Sequence, residues 1–337
     1  MSEAARGRRT LAALGVAVAA LFAASLLTGP AGLTLGESLS ALLAGEGEAA
    51  VLVMREIRLP RAILGLAVGA TLGLSGAALQ GYLRNPLAEP GLIGVSSGAA
   101  LGAVLAIHAG LSAAFPLALP LMALAGAGLA VLAVLALAGG APTAGGGALT
   151  LILAGVAVTS LCGALTSLAL NLSPNPFAAL EIVFWMLGSL ADRSFLHVQL
   201  ALPFMVVGWA MLATLGRGLD ALTLGEDAAA SLGVRLGRLR LLAVGGVAAS
   251  VGAATAVAGA IGFVGLVAPH LLRPLVGARP SALLPASALG GAAVLLAADV
   301  AARLLAPGQD LKLGVLTAIV GAPFFLWLVA RHRRGLA

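Results

Sequence analysis

Apolar residues run on in this chain well past the length of an ordinary soluble helix. Stretches near 11–28, 60–82, 91–109, 114–138, 148–171, 196–215, 239–258, 260–277, 281–305 and 313–331 carry little charge, and each approaches the about 20 residues an α-helix needs to cross a bilayer. The pattern predicts an all-α integral membrane protein with about ten transmembrane helices in one bundle. The eighth stretch is short and contains Pro269, so an interruption is predicted there and nine spans is the alternative count. Two longer polar segments remain. One covers 29–59, with an amphipathic piece around Ser38 to Leu43; the other is the connector 216–238. Arg6, Arg8 and Arg9, the connector's Arg217, Arg235, Arg238 and Arg240, and Arg331, Arg333 and Arg334 all fall on one side of a ten-span topology. The positive-inside rule makes that side, with both termini, cytoplasmic. The basic start and first apolar run also look like a secretory signal, but the run exceeds the usual roughly 7–15 residues, which favours a retained span.

Composition narrows the reading. Hydrophobic residues make up 61% of the 337, against roughly 45–50% in soluble domains, and the whole of 1–337 reads as a single membrane domain. Only 4% of residues are aromatic while glycine numbers 46, which predicts helices that approach through small side chains. One cysteine, Cys162, and four scattered histidines (His108, His197, His270, His332) offer neither a disulfide nor a metal-ligand set, so no metal or cofactor is predicted in this chain. The net charge of +6 comes from arginines at span ends, where lipid and orientation account for it without nucleic acid. The 13 acidic residues lie in loops or near span ends. No carboxylate relay and no unwound site near mid-membrane is predicted, which counts against a secondary transporter or channel. Lys312 stands outside any glycine-rich turn, so there is no P-loop. Clustered His, Asp or Ser groups for an intramembrane enzyme are missing, and no catalytic residue is nominated.

Several segments carry more specific information. Gly65, Gly69, Gly73 and Gly76 lay a smooth stripe on the second span, a helix-packing seam in the first instance. The span ends in a stretch from Gln80 to Gly91 that holds Asn85, Leu87 and two prolines, where irregular backbone reads equally as a gate or a turn. Gly73, Gly76, Leu83 and Arg84 recur at an offset of 189 as Gly262, Gly265, Leu272 and Arg273, either a duplication or a coincidence of glycine-rich helices. Arg55, Arg58, Arg61 and Arg303 sit on the side that should be poor in positive charge. Two readings stand: local pairing, with Glu56 adjacent to Arg55 and Asp299 one turn before Arg303, or a cationic rim that docks an acidic partner. In the connector, Gly225, Glu226, Asp227, Ala228, Ala229, Ala230, Ser231, Leu232 and Gly233 read as a short surface helix with acids in its first turn, either an interfacial linker or a knob for a cytoplasmic partner.

Five strings in order resemble one family: Arg58-Leu59-Pro60-Arg61; Asn85-Pro86-Leu87-Ala88-Glu89-Pro90 running to Gly94; Gly225-Glu226 through Leu232-Gly233; Gly259 through Leu266 followed by Pro269-His270; and Gly321-Ala322-Pro323. The chain is similar to the permease subunit of bacterial ABC importers for iron-siderophore, haem and cobalamin (FecCD-type), most closely over about 55–334. The resemblance implies a second permease copy, by preference identical, forming the path at a shared interface in the bacterial inner membrane. Two cytoplasmic ATPase subunits, which bind ATP and magnesium, would drive it, and an extracytoplasmic binding protein would feed it. It further implies that Arg58, Arg61 and Arg303 dock the binding protein, that 225–233 couples to the ATPase, and that Asn85 and Leu87 lie near a cytoplasmic gate. The connector 141–148 takes the place of a second gate loop, and 180–188, with Trp185 and Met186, that of a short helix beside the external mouth.

Overall fold

The computed structural model describes residues 3–115, 117–139, 147–173 and 176–334, which leaves most of the proposed second gate loop outside the described residues. The helices are α1 (Glu3–Leu27), α2 (Leu35–Leu43), α3 (Glu48–Val51), α4 (Leu59–Tyr82), α5 (Val95–His108), α6 (Leu111–Ala114), α7 (Ala118–Ala138), α8 (Gly147–Asn171), α9 (Pro176–Met186), α10 (Phe195–Ala213), α11 (Gly216–Leu222), α12 (Glu226–Ser231), α13 (Leu236–Ala258), α14 (Val264–Val276), α15 (Pro280–Leu305) and α16 (Leu313–Arg334). A π-helical turn, Leu52–Arg58, leads into α4 and a 3-10 turn, Pro90–Ile93, into α5. Among the described residues there is no strand. The amphipathic piece is α2, started by a capping box in which Thr34 N–H donates to Glu37 Oε2 at 2.8 Å and Glu37 N–H donates to Thr34 Oγ1 at 3.3 Å.

Among the described residues seven helices are long and apolar enough to cross a membrane: Ala5–Leu27, Glu48–Tyr82, Ala118–Ala138, Gly147–Asn171, Phe195–Ala213, Leu236–Ala258 and Pro280–Leu305. The other three predicted spans hold shorter apolar helices, Val95–His108, Val264–Val276 and Leu313–Trp327. A helix of 13 or 14 residues reaches only about 20 Å at 1.5 Å per residue, so a ten-span count needs non-helical segments to complete the crossings at α5 and α14, whereas α16, with 22 residues, is long enough by itself. One is plain to see. Between α13 and α14, residues 259–263 are not helical, whereas Pro269 and Pro274 sit inside α14. This corrects two expectations at once: the eighth span is interrupted ahead of its prolines, and an unwound stretch does exist within the apolar segments. Gly259 at φ 72° and Phe263 at φ 67° mark its ends; a side chain resists such angles, so glycine suits the first, and the second is a strained phenylalanine.

The glycine stripe sets the interior. α4 and α15 run antiparallel and almost backbone to backbone: a Cβ on Gly69 would stand 2.5 Å from Gly291 O, and one on Gly73 1.9 Å from Ser287 O. Gly65 instead faces the side chains of Leu296 and Leu190, and Gly76 turns to α14, where a Cβ would meet Gly265 O at 1.9 Å. With little hydrophobic drive between helices in lipid, such close approach supplies the dispersion contacts that hold them. Similar glycine contacts join α5 to α7 (Gly102 against Met122 O) and α10 to α13 (Gly208 against Gly246 O). The 189-residue echo is not repeated in local structure: Gly73 lies within α4, while Gly262 lies in the unwound stretch before α14.

Candidate functional site

At the end of the bundle where α1 stops and α4 begins, three guanidinium groups gather, two of them on one carboxylate. Asp299, buried on α15, accepts from Arg61 at 2.8 Å and from Arg303 at 2.6 Å. Arg303 also donates to the carbonyls of Ser25 and Thr28 and to Ser25 Oγ. Arg58, only 4% exposed, donates to the carbonyls of Leu26 and Leu27 at 3.0 and 3.2 Å. Two arginines thus satisfy the orphan carbonyls at the C-terminal end of α1, where the helix dipole favours cations. Arg55 does the same for α2 through Ala41 O and Leu42 O. Local pairing is therefore real for Arg61 and Arg303, yet one carboxylate leaves the group with excess positive charge. A recess of about 530 Å³ opens beside it, lined by Arg61, Arg303, Asp192, Gln309 and Asp310. Burial alone would raise the Asp310 carboxyl; hydrogen bonds from Lys312 and Ser189, with the charges of Lys312 and Arg61, hold it below the usual carboxylate range.

The far end of α4 carries the candidate gate. Asn85 Oδ1 accepts from Leu87 N–H at 2.9 Å and Asn85 O accepts from Ala88 N–H at 3.1 Å, a turn held by an Asn side chain, with Leu87 exposed. Glu89 then reaches across to accept from Phe263 N–H at 2.8 Å, at the start of α14. One turn above, Pro269 has no N–H to give Gly265 O, and Gln80 Nε2 donates to that carbonyl at 3.4 Å, while Gln80 Oε1 accepts from Arg273 at 2.8 Å. Gate turn and unwound stretch are therefore linked. Sequence reasoning missed this, although Gln80 lies one turn after Gly76 on the glycine face and Pro269 announced an orphan carbonyl.

The connector folds as α11 and α12. α12 covers six residues between Gly225 at φ 106° and Gly233 at φ 85°. Within it Ala229 is buried, whereas Leu224 and Leu232 on its flanks are exposed. Behind it, Asp220 on α11 accepts from Ser281 N–H at 2.9 Å and Ser281 Oγ at 2.6 Å, clamping the connector to the first turn of α15. That clamp was also not foreseen. α15, with 26 residues, is about 39 Å long and joins the clamp to Asp299 and Arg303. Of the short helix expected over 180–188, residues up to Met186 belong to α9 (Pro176–Met186), while Leu187 and Gly188 lie beyond its end.

Comparison with known proteins returns one consistent answer. The model of the FecCD transport family matches residues 17–331. The chain is 44% identical over 288 residues to the cobalamin import system permease protein BtuC of Halobacterium salinarum, covering 85% of this chain and 75% of that one. It is 41% identical over 289 residues to the hemin transport system permease protein HmuU of Yersinia pestis, covering 82% and 83%. A solved inward-facing metal-chelate type ABC transporter superposes with a TM-score of 0.84 at 33% identity, over 96% of this chain and 99% of that one.

Proposed function

The chain belongs to the FecCD transport family, the permeases of ABC importers for iron-siderophore, haem and cobalamin, and from that premise we propose that it carries one such metal chelate into the cytoplasm by alternating access. In this reading two copies enclose the path, two ATPase subunits bind at 225–233, and an extracytoplasmic binding protein delivers cargo at the arginine end. Ten spans cross the bacterial inner membrane and leave both termini in the cytoplasm. Chemistry stays in the ATPase, which holds ATP and magnesium; this chain transmits movement.

The observation that carries the proposal is the continuity of α4 and α15. The connector is clamped to one end of α15 by Asp220, and α15 is locked to α4 by Arg61 and Asp299 at the other. The opposite end of α4 runs into the gate turn at Asn85 and Leu87. A tilt imposed at α12 therefore reaches gate and rim as one rigid pair, since packed backbones shift as units. Arg61 and Arg303 edge a recess able to receive a partner's carboxylate. Arg58 is committed to α1, so its role in docking is to hold the rim in place.

The test is uptake into proteoliposomes by the permease assembled with the ATPase and binding protein encoded beside it, offered cyanocobalamin, hemin and ferric siderophores in turn. ATP-dependent accumulation of one of these is expected; uphill accumulation by the permease alone would overturn the reading. Arg61→Gln with Arg303→Gln is expected to weaken binding-protein association by at least about tenfold, in line with paired interfacial charges, whereas unchanged association in a folded double variant removes the docking role.

A further inference from the structure

Away from rim and gate, a lateral groove of about 680 Å³ runs between α4, α10 and α15. Its walls are apolar: Leu66, Ala70 and Leu74 from α4, Trp209 from α10, Leu284 and Ala288 from α15. Trp209 is fixed in place, its Nε1 donating to Thr71 Oγ1 at 2.8 Å. One end of the groove is polar, where α10 passes into α11 and α15 begins. There the Thr214 hydroxyl donates to Met211 O and the Ser281 hydroxyl to Asp220. Arg217 lines the same end, is exposed, and among the described residues has neither a hydrogen bond nor an ion pair. Asp220, one turn on, has both carboxylate oxygens engaged by Ser281.

We propose that this groove holds an anionic phospholipid of the leaflet adjoining the connector, with its phosphate on Arg217 and an acyl chain along Leu74, Trp209 and Leu284. The layout matches that ligand: a cation at the membrane surface opens onto an apolar slot directed toward the middle of α4, as a headgroup opens onto its chain. A free phosphate would leave the slot empty, and a zwitterionic headgroup would set its own cation beside Arg217. The position has a consequence. At the groove's floor α11 meets α15 so closely that a Cβ on Gly216 would stand 3.2 Å from the Ser281 Cβ. The lipid therefore lies against the junction by which the connector grips α15, which makes it a candidate modulator of coupling.

Trp209 supplies the readout. With Trp185→Phe and Trp327→Phe it becomes the sole indole among the chain's three, and the full-length protein in nanodiscs is titrated with brominated phosphatidylglycerol or brominated phosphatidylcholine. Quenching by the glycerol lipid at an about fivefold lower mole fraction is expected, the preference one arginine at an anionic surface supplies. Arg217→Gln should abolish that difference, and Ala288→Phe should reduce quenching by both lipids. Equal quenching that ignores Arg217→Gln means ordinary boundary lipid and overturns the proposal. So does displacement by inorganic phosphate alone, or disulfide formation between Ala288→Cys copies that marks the groove as a contact with a second copy. Should the tryptophan substitutions impair folding, native mass spectrometry of the otherwise unaltered chain decides: retained phosphatidylglycerol, lost in Arg217→Gln, supports the site, and indifference to headgroup refutes it.

Discussion

The α4 span and α8 are both long apolar helices, yet they answer to different surroundings. In the α4 span 83% of the apolar stretch is buried within the chain, against 28% in α8. The buried face of α4 is glycine and alanine set against the α15 backbone; α8 turns Leu149, Leu153, Leu161, Leu165 and Leu168 outward. Small residues mark where the chain meets itself, and large exposed aliphatics mark where lipid or another subunit must cover it. The first kind of contact fixes a rigid pair. The second leaves a helix whose large apolar side chains this chain does not cover.

The sharpest way to break the rigid pair is at its arginine end. Asp299→Ala strands two largely buried guanidiniums and is expected to cost about 3–5 kcal/mol, read as lost thermal stability or folded yield in detergent; a fully stable variant would show that the pair is not held there. Next is Gly73→Ala, whose Cβ would fall 1.9 Å from Ser287 O, for an expected loss of about 1–3 kcal/mol from overpacking. The matched change on α8 sharpens the contrast: Gly163 has nothing within 4 Å of its would-be Cβ, and Gly163→Ala should be neutral or stabilise by up to about 1 kcal/mol. Equal melting temperatures for the two alanine variants would erase the distinction. The smallest effect belongs to the rim. The Asp310 carboxyl is held below its ordinary value of 3.8, so its contribution is present above that pH and is lost as acid takes the medium through the lower folded value. A melting temperature that declines only at such acidity, and declines less in Asp310→Asn, is the expected signature.

Much of this was legible in the chain. Runs of apolar residues located the helices, and spacing by three and four placed Gly65, Gly69, Gly73 and Gly76 on one face. Glycines at 225 and 233 bounded a short helix between them. What could not be read was the partner of each group. Nothing local tells Gly73 that it faces Ser287 while Gly76 faces Gly265, because that choice depends on how two distant helices cross. Arg58, Arg61 and Arg303 were visible as anomalies, yet the division of labour among them depends on where α1 ends in space. The break at 259–263 was assigned instead to Pro269, since proline is the usual helix breaker; here Gln80 takes up the carbonyl that the proline orphans, and the helix continues through it. Asp220 and Ser281 stand 61 residues apart, and nothing local pairs them.

The central claim is that force enters at the connector and travels along α15, and Asp220→Ala in the assembled transporter tests it most directly, through cargo taken up per ATP hydrolysed. Loss of the clamp should leave hydrolysis running while uptake falls at least about tenfold, within the range of a coupling free energy of about 1–3 kcal/mol. Uptake per ATP unchanged from the native transporter would contradict the claim.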